Sequence, residues 1–342
     1  MKVGIHGIKI LTETDMKKIL AFIVLSVAMV SCYEDYIMDY DYTGIYFPYQ
    51  VDVRTFVVGE GMKIEVGAAL GGVRENIMDR HVEFGFDNSL ITPALLAKMK
   101  GATQSYISNS TAAVANLLPL PSNYYSISDP NTMVIKAGQH MGSVVIQPDS
   151  VTFLNDSVNT INATYVLPFR INTADADSVV NLKRTNTVAV MFENMLFGNY
   201  WHGGSATIQR PGLADTVYNY FTEIPTPESK IWVLKTLGPS TLGCNGFLDQ
   251  ASPTVTEMNL VLKGDKVFVS SASGATNVVS SEGSSSFNRA KLLQKRKIFL
   301  KYQYTNTATG YTYHCTDTLT FRNRMRDGIN EWQDENPSHY DK

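Results

Sequence analysis

The chain has 342 residues, 44% of them hydrophobic and 18% charged, with a formal net charge of −3. That length suits two domains, each able to bury its own core, and the apolar share excludes a disordered chain. The near-neutral balance gives no global pull toward nucleic acid, and three dispersed cysteines exclude a disulfide scaffold and the common zinc patterns.

Residues 1–15 include Glu13 and Asp15, which do not belong in a basic leader, so translation is expected to start at Met16 and 1–15 to be a mis-assigned start. Met16-Lys17-Lys18 opens an apolar run from Ile19 to Val30, broken only by Ser26. At a rise of about 1.5 Å per residue the run is too short to span about 30 Å of hydrocarbon, and small residues end it. Residues 16–31 therefore read as a secretory signal. Their end, Met29-Val30-Ser31-Cys32, resembles a bacterial lipobox with Met29 in place of the usual Leu. In that motif Cys32 is acylated and becomes the mature N-terminus. Residues 32–43 follow as a tether, acidic and without a basic residue from Tyr33 to Asp41.

Strand periodicity then dominates. Met62, Ile64, Val66, Ala68 and Leu70 alternate with polar or small residues, as do Val82, Phe84 and Phe86, then Tyr165, Leu167, Phe169 and Ile171, then Val188, Val190 and Phe192. Pro168 removes a ladder donor and predicts a sheet edge or bulge. A single helix is expected over Thr92–Lys100, with Pro93 early and Gly101 just past its end. Residues 44–193 are thus predicted to form an immunoglobulin-like β-sandwich.

The second half carries a tight hairpin, Leu260–Phe268 turning at Gly264-Asp265, and another joining Ile298–Tyr304 to Tyr311–Phe321. Residues 270–286 read as loops around a short strand at Val278 and Val279. Several antiparallel hairpins in this span favour closure, which removes exposed edges. The expectation for 194–333 is an antiparallel, lipocalin- or calycin-like β-barrel, followed by a polar tail, 334–342. The fold class is all-β.

Short motifs in the first half resemble the Bacteroidetes lipoprotein domain-of-unknown-function family 1735. They are Ile45-Tyr46-Phe47-Pro48, Leu118-Pro119 before Tyr124-Tyr125, Ile135-Lys136-Ala137-Gly138 and Tyr165 to Ile171. In the second half, Gly198-Asn199-Tyr200-Trp201 and the tail Arg322 to Trp332 resemble family 4361, which often follows it. The resemblance implies a surface lipoprotein of a polysaccharide-utilisation system, lipid-anchored in the outer membrane and facing the exterior, binding glycan beside an outer-membrane importer. The acidic tether likewise resembles the export signal of such surface lipoproteins. The first domain type also precedes glycoside hydrolase modules, so a hydrolase or its accessory module is the alternative, and a structural or adhesive surface subunit a third. The resemblance brings no catalytic residues.

The residues themselves carry no catalytic constellation. None of the six histidines has metal-ligand spacing, and there is no nucleophile elbow, phosphate loop or calcium loop. A glycosidase needs two carboxyl groups about 5–9.5 Å apart, assembled from any strands. No cofactor or metal is expected. Carbohydrate binding instead needs flat aromatic faces beside hydroxyl, amide and carboxyl groups. Candidates are Tyr200, Trp201, Trp232, Trp332 and, on a strand face with Thr216 and Thr222, Tyr218 and Tyr220. A basic run at Lys291, Lys295, Arg296, Lys297 and Lys301, with Arg322, Arg324 and Arg326, fits an anionic glycan or a solvated face. Cys244 and Cys315 either form a disulfide or are buried thiols. Five Asp-Ser/Thr-aliphatic triplets place Ser150, Ser157, Ser178, Thr216 and Thr318 in a pattern resembling the Bacteroidetes O-glycosylation signal, or in turns entering strands. Together these readings predict a non-catalytic surface lipoprotein that binds glycan.

Overall fold

Period-two alternation builds two β modules in the computed structural model, which describes residues 42–220, 230–275 and 277–334. The signal, Cys32, nearly all of the tether, Thr222 and most of the polar tail lie outside the described residues. Among the described residues no helix is long and apolar enough to cross a membrane.

The first module comprises β1 (Gly44–Tyr46), β2 (Val51–Val58), β3 (Ile64–Gly71), β4 (Arg80–Phe86), β5 (Leu118–Pro119), β6 (Tyr125–Ile127), β7 (Thr132–Ile135), β8 (Met141–Pro148), β9 (Tyr165–Ala174), β10 (Ser178–Val179) and β11 (Thr185–Asn194). One sheet has the order β10-β1-β3-β8-β6, the other β2-β11-β9-β4-β7 with β5 on β9. Phe47, Phe56, Val66, Phe84, Ile146, Phe169 and Val190 pack between them. The outer face of the second sheet is buried too, because Val53, Val166, Ala189 and Met191 lie under helices α1 (Pro93–Lys100) and α2 (Ser105–Thr111). Double burial is why β9 and β11 carry near-continuous apolar runs.

Helix α1 forms as predicted, with Thr92 Oγ1 accepting from the Leu95 amide at 3.1 Å and Gly101 at its end. The expectation of a single helix is corrected by α2 and by the short α3 (Ser150–Asn155) and α4 (Ser157–Thr160). These are too short to show helical periodicity, although Asp149 caps α3 by accepting from the Thr152 amide at 2.7 Å. Pro168 also departs from expectation, since β9 is the central strand of its sheet. Its carbonyl accepts from the Asp87 amide just beyond the end of β4, while β5 stops at Pro119. No neighbouring carbonyl there requires the donor that proline lacks.

The second module contains β12 (Gly198–Gln209), β13 (Thr216–Asn219), β14 (Lys230–Gly238), β15 (Thr241–Cys244), β16 (Gly246–Phe247), β17 (Gln250–Ala251), β18 (Met258–Lys263), β19 (Lys266–Ser271), β20 (Val278–Ser281), β21 (Ser285–Phe287), β22 (Lys297–Asn306), β23 (Tyr311–Arg326) and β24 (Ile329–Glu331). The order β12-β14-β15-β18-β19-β20-β22-β23 closes on itself where β23 pairs with β12. The fold is therefore all-β, a sandwich followed by a closed barrel, as the periodicity predicts. Lys263 opposes Lys266 across the predicted two-residue turn, where Gly264 takes φ +67°.

Candidate functional site

Inside the barrel, β12 and β23 run side by side, with Tyr200, His202 and Ala206 opposite Phe321, Leu319 and Cys315. The polar centre is Asp317, which is fully enclosed. Tyr220 donates its hydroxyl to Oδ1 and Tyr302 donates to Oδ2 at 2.7 Å, while His202 Nε2 lies 3.0 Å from Oδ2. A Cβ at Gly204 would sit 2.5 Å from Asp317 Oδ1, so glycine makes room for the carboxyl group. The His202 ring stacks on Trp232 with centroids 3.7 Å apart.

The β16–β17 hairpin folds into the barrel mouth. The Leu248 amide donates to the Tyr302 hydroxyl at 2.8 Å, and Asp249 accepts from Tyr218 at 2.7 Å. Burial, reinforced by Asp317, raises the pKa of Tyr220 and of Tyr302. Both stay protonated donors, and the network makes a rigid interior.

This geometry sorts the predicted aromatics. Tyr200 and Trp232 are corrected as sugar-facing candidates, because both side chains are wholly buried in the barrel core. Tyr218 opposes Ala206 and so shares the inner face with Tyr220, at the barrel mouth. Tyr218 is 39% exposed there and Tyr220 half-buried. Trp201 faces outward, with the Arg322 guanidinium 5.0 Å from its ring centroid, and Trp332 is 59% exposed.

The outer face around Trp201 holds residues that sequence reading missed. Across β12, β23 and β22 the rows are Trp201–Thr320–Lys297, Gly203–Thr318–Phe299 and Ser205–Thr316–Lys301. The alternate threonines at 316, 318 and 320 were a readable signal for a hydroxyl-bearing strand face. Phe299, 41% exposed, gives this face a second aromatic.

A cleft of about 1080 Å³ lies between the modules, over a buried ion network. A register shift at Asn199/Tyr200 turns Arg324 inward, where it meets Glu60 of the β2–β3 turn with two contacts of 2.8 Å. Arg296 reaches Glu60 at 2.7 Å, and Arg324 Nε binds Glu331 at 2.5 Å. Burial raises the Glu60 pKa, but Arg324 and Arg296 outweigh it and hold the carboxyl at about 2. The basic run is thereby divided, with Arg296 and Arg324 structural and the others nearer solvent.

At the same junction, burial pushes Glu193 up to about 7, despite a hydrogen bond from Thr236 and the charge of Arg324. A carboxyl raised from its ordinary 4.5 adds stability below that value and loses it as pH rises through 7. Glu193→Gln is expected to stabilise the fold by about 2–3 kcal/mol at pH 8. At pH 4 the change should nearly vanish, which thermal denaturation at the two pH values checks.

The disulfide alternative is corrected, since Cys244 and Cys315 are free and buried. They stand on β15 and β23, which β14 and β12 separate in the barrel wall. Burial pushes each thiol up to about 12, so both stay protonated and unreactive. Of the Asp-Ser/Thr triplets, Ser150 and Ser157 start helices rather than strands. Ser178 and Thr216 start strands, and Thr318 lies within β23 on the outer barrel face.

Residues 40–178 match a family model described as "-like, N-terminal domain". No curated protein matches the chain. Among solved structures, a Bacteroides ovatus protein of unknown function matches with TM-score 0.60 and 20% identity, covering 86% of this chain and 98% of its own. A second B. ovatus protein of unknown function matches with TM-score 0.40 and 12% identity over 85% of this chain and 100% of its own. A B. ovatus multidomain protein including DUF1735 matches with TM-score 0.39 and 13% identity, over 85% and 100%. The chain thus has an N-terminal region similar to a recognised family of N-terminal domains, and its two-module fold is that of the first B. ovatus protein.

Proposed function

We propose that this protein is a non-catalytic surface lipoprotein that binds glycan for a polysaccharide-utilisation system. Its anchor is Cys32 in the outer membrane, its first module is a spacer similar to family 1735, and its barrel is a binder similar to family 4361. The reading is supported above all by the outer barrel face, where Trp201 and Phe299 flank a row of threonine hydroxyls. A sheet face with aromatic rings and hydroxyls meets both surfaces of a sugar, the rings its C–H side and the threonines its hydroxyls. Neither ring is enclosed by the barrel core.

The test is affinity electrophoresis of the chain from Tyr33 onward through gels containing a panel of polysaccharides. At least one polymer should retard it, and Trp201→Ala should weaken that retention about tenfold or more, since the lost ring contact is worth about 1.5–3 kcal/mol. Retardation by no polymer would defeat the reading. Release of reducing ends, abolished by one carboxyl substitution, would replace it with a hydrolase.

A further inference from the structure

We propose that the cleft between sandwich and barrel binds the carboxylate or sulfate groups of an acidic saccharide, a second site that rests on the glycan-binding reading above. Among the lining residues, cations outnumber carboxyl groups by six to four. Glu60 and Glu331 are already engaged by Arg296, Arg324 and Arg326. Lys63 and Arg289 make no ion pair among the described residues, and both are exposed. Lys63 comes from the sandwich and Arg289 from the barrel, so a bound polyanion would bridge the modules. A concave wall with surplus positive charge concentrates anions more than a flat surface does.

Arg289 is held ready for this. It has φ +49°, the left-handed region in which a side chain is strained. The turn is fixed by Asn288, whose Oδ1 accepts from the Ala290 and Lys297 amides at 3.2 and 3.1 Å. Asn288 Nδ2 donates to the Lys295 carbonyl at 2.7 Å. The guanidinium lies 6.0 Å from the centroid of the Phe287 ring, and a Cβ on Gly264 would lie 3.5 Å from it. A strained residue whose guanidinium rests on an aromatic ring and pairs with no carboxylate among the described residues is poised for an anion from outside. Trp332, exposed and next in sequence to the lining residue Glu331, is the nearest tryptophan in the chain to the cleft lining, and an aromatic there would suit a sugar.

The experiment uses polygalacturonate and heparin, with neutral dextran as control, against the chain from Tyr33 onward. At least one acidic polymer should bind in low salt and weaken as salt rises. Lys63→Ala and Arg289→Gly should each lower that affinity about tenfold. Arg289→Gly should melt at or above the wild-type temperature, because glycine relieves the left-handed turn. Binding of neither acidic polymer, or affinity unchanged in both variants, overturns the cleft assignment. Acidic binding lost on Trp201→Ala alone also overturns it and leaves the outer-face reading standing. Acidic binding lost on Arg289→Gly but untouched by Trp201→Ala supports the cleft as a site separate from the outer face, which the polysaccharide panel tests on its own.

Discussion

Glu60→Ala is expected to destabilise the protein by about 3–5 kcal/mol, because removing one member of a buried ion network leaves its partners uncompensated. Arg296 and Arg324 are almost wholly buried, and Glu60 is the carboxylate both share. Glu60 belongs to the sandwich and the two arginines to the barrel, so the loss falls on the junction. Val57, from the β2 strand that leads into the Glu60 turn, already packs in the barrel core. The wild-type protein should therefore unfold in one transition, and the variant should split it. Urea titration followed by tryptophan fluorescence and by far-ultraviolet circular dichroism checks this, since all three tryptophans lie in the second half. The pH dependence has a definite sign. Glu60 is held at about 2, below its ordinary 4.5, so its stabilisation is present above 4.5 and lost as pH falls toward 2. The variant should lack that part of the acid transition.

Asp317→Ala is the second large effect, again about 3–5 kcal/mol, for a different reason. Three groups converge on this side chain, the hydroxyls of Tyr220 and Tyr302 and the His202 ring. Alanine takes the carboxylate partner from all three, two of them fully buried and Tyr220 half-buried, at a desolvation penalty of about 1–3 kcal/mol each, partly relieved by relaxation. Tyr302 also accepts from Leu248, so the penalty extends to the hairpin in the barrel mouth. The expected readings are a lowered denaturant midpoint and faster hydrogen exchange at the Leu248 amide. Unchanged exchange there would show that the hairpin is held without Tyr302.

Much of the local structure was legible. The Gly264-Asp265 turn and the Thr92-Pro93 helix start were readable because their determinants lie within a few residues, in φ preference and capping chemistry. Tyr200 and Trp201 were both read as sugar-binding candidates, although neighbours on a strand face opposite ways. Alternation did not say which way is inward, because that depends on the strands closing around β12. Arg324 was read as part of a basic run for the same reason. A bulge that no short motif announces reverses its parity and buries it on Glu60, 264 residues away. Pro168 was read as marking a sheet edge or bulge, because its own strand does not show that β4 ends opposite it and that the Asp87 carbonyl there is taken by the Leu90 amide.

By itself, the sequence determined an all-β chain of two modules, the turns that join its strands and the residues able to stack on sugar or carry charge. Those properties follow from side-chain period and backbone preference, which act over a few residues. Tertiary structure decided which aromatics face solvent, that Cys244 and Cys315 remain apart, and that Glu60 joins the modules. It also brought Lys63 and Arg289 to one cleft. Each of these depends on barrel closure and module docking, and so on pairings between residues far apart in the chain.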